Sequence, residues 1–188
     1  MKKINIIIVV LIAILGLGCY KKTHCPEFPA NLNYFPYNDG QELKFINSQH
    51  NMRTHTIAQI EKSKDHICKQ TDKCQCECTC DTYSEFRTNF NQDSLYMYAI
   101  FWISGEGKEN ASKVNVRYLF SNFFCSDNFE KILFEGNIIP RKDILKYLKD
   151  TIVIENENNQ IVKKIVIVKG KGLISYTTAD GEEWKLVE

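Results

Sequence analysis

Proline and glycine are scarce in this chain, four and nine among 188 residues, and three of the prolines (Pro26, Pro29, Pro36) crowd into one short segment. Low-complexity and collagen-like architectures are thereby excluded, and most of the chain is left without breakers. No long run of lysine or arginine occurs and the formal net charge is +1, so the footprint of a nucleic-acid binder is missing and nucleic acid is not expected as a partner. There is no Gly-x-Ser-x-Gly elbow, no P-loop, no dinucleotide fingerprint and no HExxH pair. Gly170-Lys171-Gly172 joins two strand-like stretches, where a phosphate loop would need a helix, and is a hairpin. The four histidines (His24, His50, His55, His66) fall in separate segments, which points to solvated or structural roles. An enzyme is therefore not the expectation. One built from distant residues would need a cleft with converging carboxylates or histidines.

What is present begins at the N-terminus. Lys2 and Lys3 precede Ile6–Leu17, an apolar run of 12, and Gly16-Leu17-Gly18 leads into Cys19. A run of that length suits a signal-peptide core and is short of the ~20 residues a spanning helix needs. Leu15-Gly16-Leu17-Gly18-Cys19 resembles the lipobox of bacterial lipoproteins, with Gly16 where leucine is usual and the small Gly18 directly before the cysteine. The resemblance implies cleavage after residue 18 and acyl chains on Cys19. Several chains hold a protein on a bilayer effectively permanently, since each buried methylene contributes ~0.8 kcal/mol. Net charge then falls to −1 as Lys2 and Lys3 leave. Tyr20 stands where an inner-membrane retention aspartate would be, which favours the outer membrane. The expected partner is thus the lipid bilayer, with a protein or glycan partner left open.

The mature chain divides into a lipidated N-terminus and tether at 19–40 and a domain at 41–188. The prolines stiffen the first part into an extended arm, and Asn38-Asp39-Gly40 turns into the second. From there the pattern is of strands. Leu95–Ile103 is aromatic and β-branched on both faces and predicts a central strand covered on both sides. Val114, Val116, Tyr118 and Phe120 share one face of the next strand. Leu173–Thr178 and Glu183–Val187 flank Asp180-Gly181, a hairpin signal. Arg141–Lys149 after Pro140 predicts the single short helix. The fold class is all-β, an antiparallel β-sandwich or barrel of about eight or nine strands, with Trp102 and Trp184 among its better-buried residues. Cys25–Gln49 (CPEFP through NYFPYNDGQELKFINSQ) and Lys164–Leu186 (KIVIVKGKGLISYTTADGEEWKL) look like small lipoproteins of anaerobic gut bacteria. That resemblance implies a membrane-anchored β-domain and brings no catalytic residues.

Seven cysteines remain after Cys19: Cys25, Cys68, Cys74, Cys76, Cys78, Cys80 and Cys125, four of them as Cys-x-Cys-x-Cys-x-Cys at 74–80. On a strand these four share one face with neighbouring Cα atoms ~6.6 Å apart. Disulfides prefer ~5.5–6 Å. Bridges from this segment are therefore expected to reach Cys25, Cys68 or Cys125 and not an adjacent member, and the odd count leaves at least one thiol unpaired. Staples in an oxidising envelope and small buried hydrophobes are two readings of the set. A third makes His66, Cys68 and Cys74–Cys80 a soft site for zinc or copper. The leading expectation is a non-enzymatic binding or structural module on the envelope, without a cofactor; the alternative is metal or thiol handling through Cys74–Cys80.

Overall fold

A computed structural model describes residues 25–70, 76–89, 95–106, 109–122 and 125–187. The expected leader, Cys19 and Cys74 lie outside the described residues. Ten strands form one antiparallel sheet: β1 (Glu42–Ile46), β2 (Met52–Gln70), β3 (Cys76–Thr88), β4 (Tyr96–Glu106), β5 (Asn110–Ser121), β6 (Ser126–Pro140), β7 (Thr151–Glu155), β8 (Val162–Val168), β9 (Gly172–Thr178) and β10 (Glu183–Leu186). The order is β6-β5-β4-β3-β2-β1-β10-β9-β8-β7, so the first strand pairs with the last and the sheet rolls into a nearly closed barrel with its seam between β6 and β7. The all-β expectation holds, with ten strands where eight or nine were expected. The expected helix is shorter and tighter, a 3-10 segment at Arg141–Lys146. Its two buried residues, Arg141 and Ile144, are three apart, and a three-residue turn puts both on one side.

Alternation governs the wall. In β5, Val114, Val116, Tyr118 and Phe120 all point inward and are fully buried, as the sequence predicts. In β4, Met97, Ala99, Phe101 and Ile103 are buried, while Tyr98, Ile100 and Trp102 stay half-buried on the outside. The expectation of a strand covered on both faces is corrected here. A barrel wall always has an outer face, and this one is partly screened by its neighbours' side chains. Trp184 is 3% exposed. It stacks on Tyr176, its cross-strand partner, under the Arg53 guanidinium 3.9 Å from the ring centroid. The predicted hairpin at Asp180-Gly181 is present, with Gly181 at φ 89°.

A ten-stranded barrel is wider than the eight strands whose own side chains fill the interior. The segment expected to be a tether supplies the filling. From Cys25 onward it forms no strand, consistent with its prolines, yet Phe28, Leu32, Tyr34, Phe35 and Tyr37 are buried inside. Tyr34 stacks on Phe101 at 5.0 Å, and Phe35 and Tyr37 meet the Phe86 ring edge-on at 5.0 and 4.7 Å. The domain edge drawn at residue 40 thus lies well inside the packed structure, because an aromatic-rich arm has more to gain from the interior than from water. Two hydroxyls fasten the plug. Tyr34 donates to the Lys149 carbonyl at 2.6 Å, and burial, then the Asp150 charge, pushes its pKa up to about 12. Tyr37 accepts from the Leu173 amide at 2.6 Å, directly beside Gly172. Gly172 sits at φ 83° and its missing Cβ would collide with the Tyr37 ring, so both backbone conformation and space demand glycine.

A histidine is built into this core. His55 lies between Phe45 and Tyr176, with Nδ1 3.1 Å from the Leu95 carbonyl and Nε2 3.4 Å from the Tyr176 hydroxyl. Burial lowers its pKa from 6.5 to about 4, the Leu95 carbonyl opposing this and Arg53 adding to it. Between these values the unfolded chain binds a proton that the folded chain refuses, so stability falls as pH drops through the window. Urea titrations are expected to lose about 3 kcal/mol between pH 7 and pH 4 from this residue. The His55→Asn variant is expected to lack the slope between pH 6.5 and 5; a native profile flat over that interval would contradict the assignment.

Candidate functional site

The Cys25–Cys80 pair lies at the end of the barrel where β4 turns into β5, while Cys125 lies at the other end, beside the turn from β5 into β6. Cys80 on β3 is fully buried and bonded to Cys25 at the start of the plug, with Cα atoms 5.4 Å apart across a sequence separation of 55. The bridge leaves the 74–80 cluster for Cys25, one of the partners expected from strand spacing. Arg141 secures the same end. Its buried guanidinium donates to the Cys80 carbonyl, to Thr82 Oγ1 at 2.9 Å and to the Asn110 carbonyl at 2.9 Å. Three acceptors compensate a charge whose burial presses its pKa down, with Asp81 opposing.

Cys78 is also disulfide-bonded. Cys68 stands directly opposite it in the β2–β3 ladder, His66 stands opposite Cys80, and Gln70 opposite Cys76. Cys125, before β6, is a free thiol, half-buried and 3.5 Å from Asn122 Oδ1. For the metal reading the consequence is chemical: Cys78 and Cys80 in disulfides are not thiolates and cannot act as thiolate ligands. Among the described residues no three histidine, cysteine or acidic side chains converge on one point.

The outer face of β2–β5 carries the second cluster. A concavity of about 420 Å3 lies over the strand centres. Across it the register sets rows of neighbours: Asp65 opposite Asp81, Tyr83 opposite Trp102, and Glu85 opposite Ile100, which faces Arg117. Tyr83 and Trp102 make an apolar plate, since directly opposed side chains have Cβ atoms ~4.5–5.5 Å apart. The Arg117 guanidinium lies 5.4 Å from the Trp102 ring centroid and pairs with Glu130 at 2.8 Å. Glu130 is held below the usual carboxylate range, first by that bond. Tyr98 donates to Glu85 at 2.8 Å; burial and then this carboxylate push its pKa up. Asp81 keeps one enclosed carboxylate oxygen with no hydrogen-bond partner in the protein.

With Arg117 engaged by Glu130, the concavity has an aromatic floor and an acidic surround of Asp65, Asp81 and Glu85. Like charges placed directly opposite, as Asp65 and Asp81 are, destabilise a sheet. Composition hides this face, because a strand aromatic and β-branched on both sides looks covered on both. The signal was available in the alternation of Tyr96, Tyr98, Ile100 and Trp102, read with Tyr83 and Glu85 on the same face of β3.

Removing the Cys25–Cys80 bridge with paired serines is expected to cost about 4 kcal/mol, the loop entropy of a 55-residue closure. Urea unfolding measures it, and a loss below about 1 kcal/mol would show that the plug stays in place without its clasp.

Compared with known proteins, the chain matches no family model, no curated protein and no solved structure.

Proposed function

We propose that this chain is a lipid-anchored protein of the bacterial cell envelope, on the outer membrane, whose barrel is a non-enzymatic binding module that takes a glycan on the outer face of β2–β5. The anchor reading rests on the Ile6–Leu17 core and on Gly18-Cys19. The observation that carries the binding reading is the Tyr83–Trp102 plate with the carboxylates of Asp65, Asp81 and Glu85 around it. A sugar ring presents an apolar C–H face and a rim of hydroxyl donors. The plate offers the first a stacking surface, and Asp65, Asp81 and Glu85 offer the second acceptors. Aromatic floors with a few placed polar groups are the usual composition of ligand sites, and 420 Å3 falls within their usual range.

A second reading, thiol handling by the 74–80 segment, has support in Cys78 and Cys80, alternate residues of one strand that are both in disulfides. Their exchange with an incoming thiol would pass through a mixed disulfide. Cys80 is buried, which favours a structural bridge there.

Two measurements test the main reading. Cys19→Ala is expected to abolish fatty-acid labelling and membrane sedimentation; a mature form that begins elsewhere and carries no lipid would end the anchor reading. The chain has two tryptophans and Trp184 is buried, so Trp102 reports on the face. Hexasaccharides of glucose and of N-acetylglucosamine are expected to shift its emission, and Trp102→Ala to weaken binding at least ~10-fold, equivalent to ~1.4 kcal/mol. Binding unchanged in that variant, or seen only with polylysine, would overturn the glycan reading.

A further inference from the structure

The seam between β6 and β7 is built differently from the rest of the wall. Every other neighbouring pair of strands shares a ladder, while β6 and β7 stand at the two ends of the order, each with one edge unpaired. What spans the gap is a side chain: Lys131 Nζ donates to the Val153 carbonyl at 2.6 Å. A main-chain acceptor on β7 is thus answered by a lysine where a strand amide would serve elsewhere. Beyond Phe129 the inward–outward alternation of β6 fails. Ile132 and Ile138 are 46% and 49% exposed, and Tyr147, tilted against Phe134, is 53% exposed. A long edge strand with exposed apolar residues is a template for pairing, which proteins usually cover or charge.

A cleft of about 260 Å3 opens at this seam, floored by Ile132, Leu133, Leu148 and Ile152, with Lys131 and Lys149 at its rim. It is smaller than the ~300–1,000 Å3 of small-molecule pockets and suits a single inserted side chain. Neither lysine has a carboxylate partner among the described ion pairs, whereas the nearby Glu155, Asp150 and Glu135 are matched by Lys164, Lys169 and Lys113.

We infer that the β6 edge at this seam is a docking site for an extended acidic peptide of a partner protein, which adds as a strand and places one apolar side chain in the cleft. Unpaired edge groups call for an occupant with its own amides and carbonyls, which an acyl chain or a sugar does not supply in register. The apolar floor takes the alternate side chain, and the two lysines select carboxylates beside it. A second copy of this chain fits less well. Its matching edge, Lys131–Glu135, would bring Glu135 to the lysine, and that glutamate is already held by Lys113 at 3.2 Å. The inference is independent of the glycan reading, since the seam and the outer face of β2–β5 share no residue.

The test uses the full chain in detergent micelles and a fluorescein-labelled heptapeptide alternating glutamate with leucine and phenylalanine. Fluorescence anisotropy is expected to show saturable binding, at least ~10-fold tighter than for the same peptide with lysine in place of glutamate. Lys131→Glu together with Lys149→Glu is expected to reverse that preference, and Ile132→Asp to abolish binding. In each variant the Trp184 emission should stay at its buried wavelength, which separates lost docking from lost folding. Hydrogen exchange at residues 131–135 is expected to slow when the acidic peptide is bound. Equal affinity for both peptides, no binding of either, or protection confined to other strands would overturn the proposal. Dimerisation that protects 131–135 without peptide would also overturn it and assign the edge to a second copy.

Discussion

The width of the barrel is the constraint on which the rest depends. Ten strands enclose more space than their inward side chains fill, and an unfilled interior forfeits the dispersion contacts that make burial favourable. The plug of Phe28, Leu32, Tyr34, Phe35 and Tyr37 closes that deficit with aromatic rings, so the core consists of wall and insert together. Its fastenings follow from the same need. An irregular segment inside a barrel has amides and carbonyls that no ladder satisfies, and polar side chains must anchor it at chosen points. The Tyr34 and Tyr37 hydroxyls do so at one end, and the Cys25–Cys80 bridge with Arg141 does so at the other.

Local signals were legible where a residue's fate depends on its near neighbours. The shared face of Val114, Val116, Tyr118 and Phe120, the Asp180-Gly181 hairpin, the burial of Trp184 and the departure of a bridge from the cysteine cluster all follow from period, turn chemistry and strand spacing. Features set by closure were not legible. Whether Leu95–Ile103 is covered on one face or two depends on what packs outside β4, and periodicity is silent on that. The arm at 25–37 shows the same limit. Its prolines correctly rule out strands, yet they fit a solvated tether and a buried insert equally, and only the bore of the barrel decides. Of the candidate site, the cysteines were visible by spacing. The Tyr83–Trp102 plate needed the register between β3 and β4, which no local pattern contains.

The charged groups divide by what surrounds them. Asp127, buried at the start of β6, receives the amides of Gln160, Ile161 and Val162 and so caps the turn into β8. Arg141 plays the corresponding part at the Cys25–Cys80 end. Asp127 is met by backbone amides, and Arg141 by two carbonyls and the Thr82 hydroxyl, so both serve to hold the fold. Asp81 and Asp65 on the outer face differ, since they confront each other across a ladder and Asp81 retains an unanswered oxygen.

The pairing of β1 with β10 has a consequence for how the chain reaches this state. Phe45 lies opposite Leu186, and the Val187 amide reaches the Lys44 carbonyl at 2.7 Å, so the contact that closes the sheet spans nearly the whole described sequence. Contacts of such long separation incur loop-closure entropy before they return any stability, which places this fold among the slow ones. A ribosome or translocation channel that releases the chain N-terminus first delivers β1 long before β10 and leaves one of its edges open until Glu183–Leu186 emerges. For that interval the strand nearest the plug is the one most exposed to a wrong partner, and the arrival of β10 decides when the exposure ends.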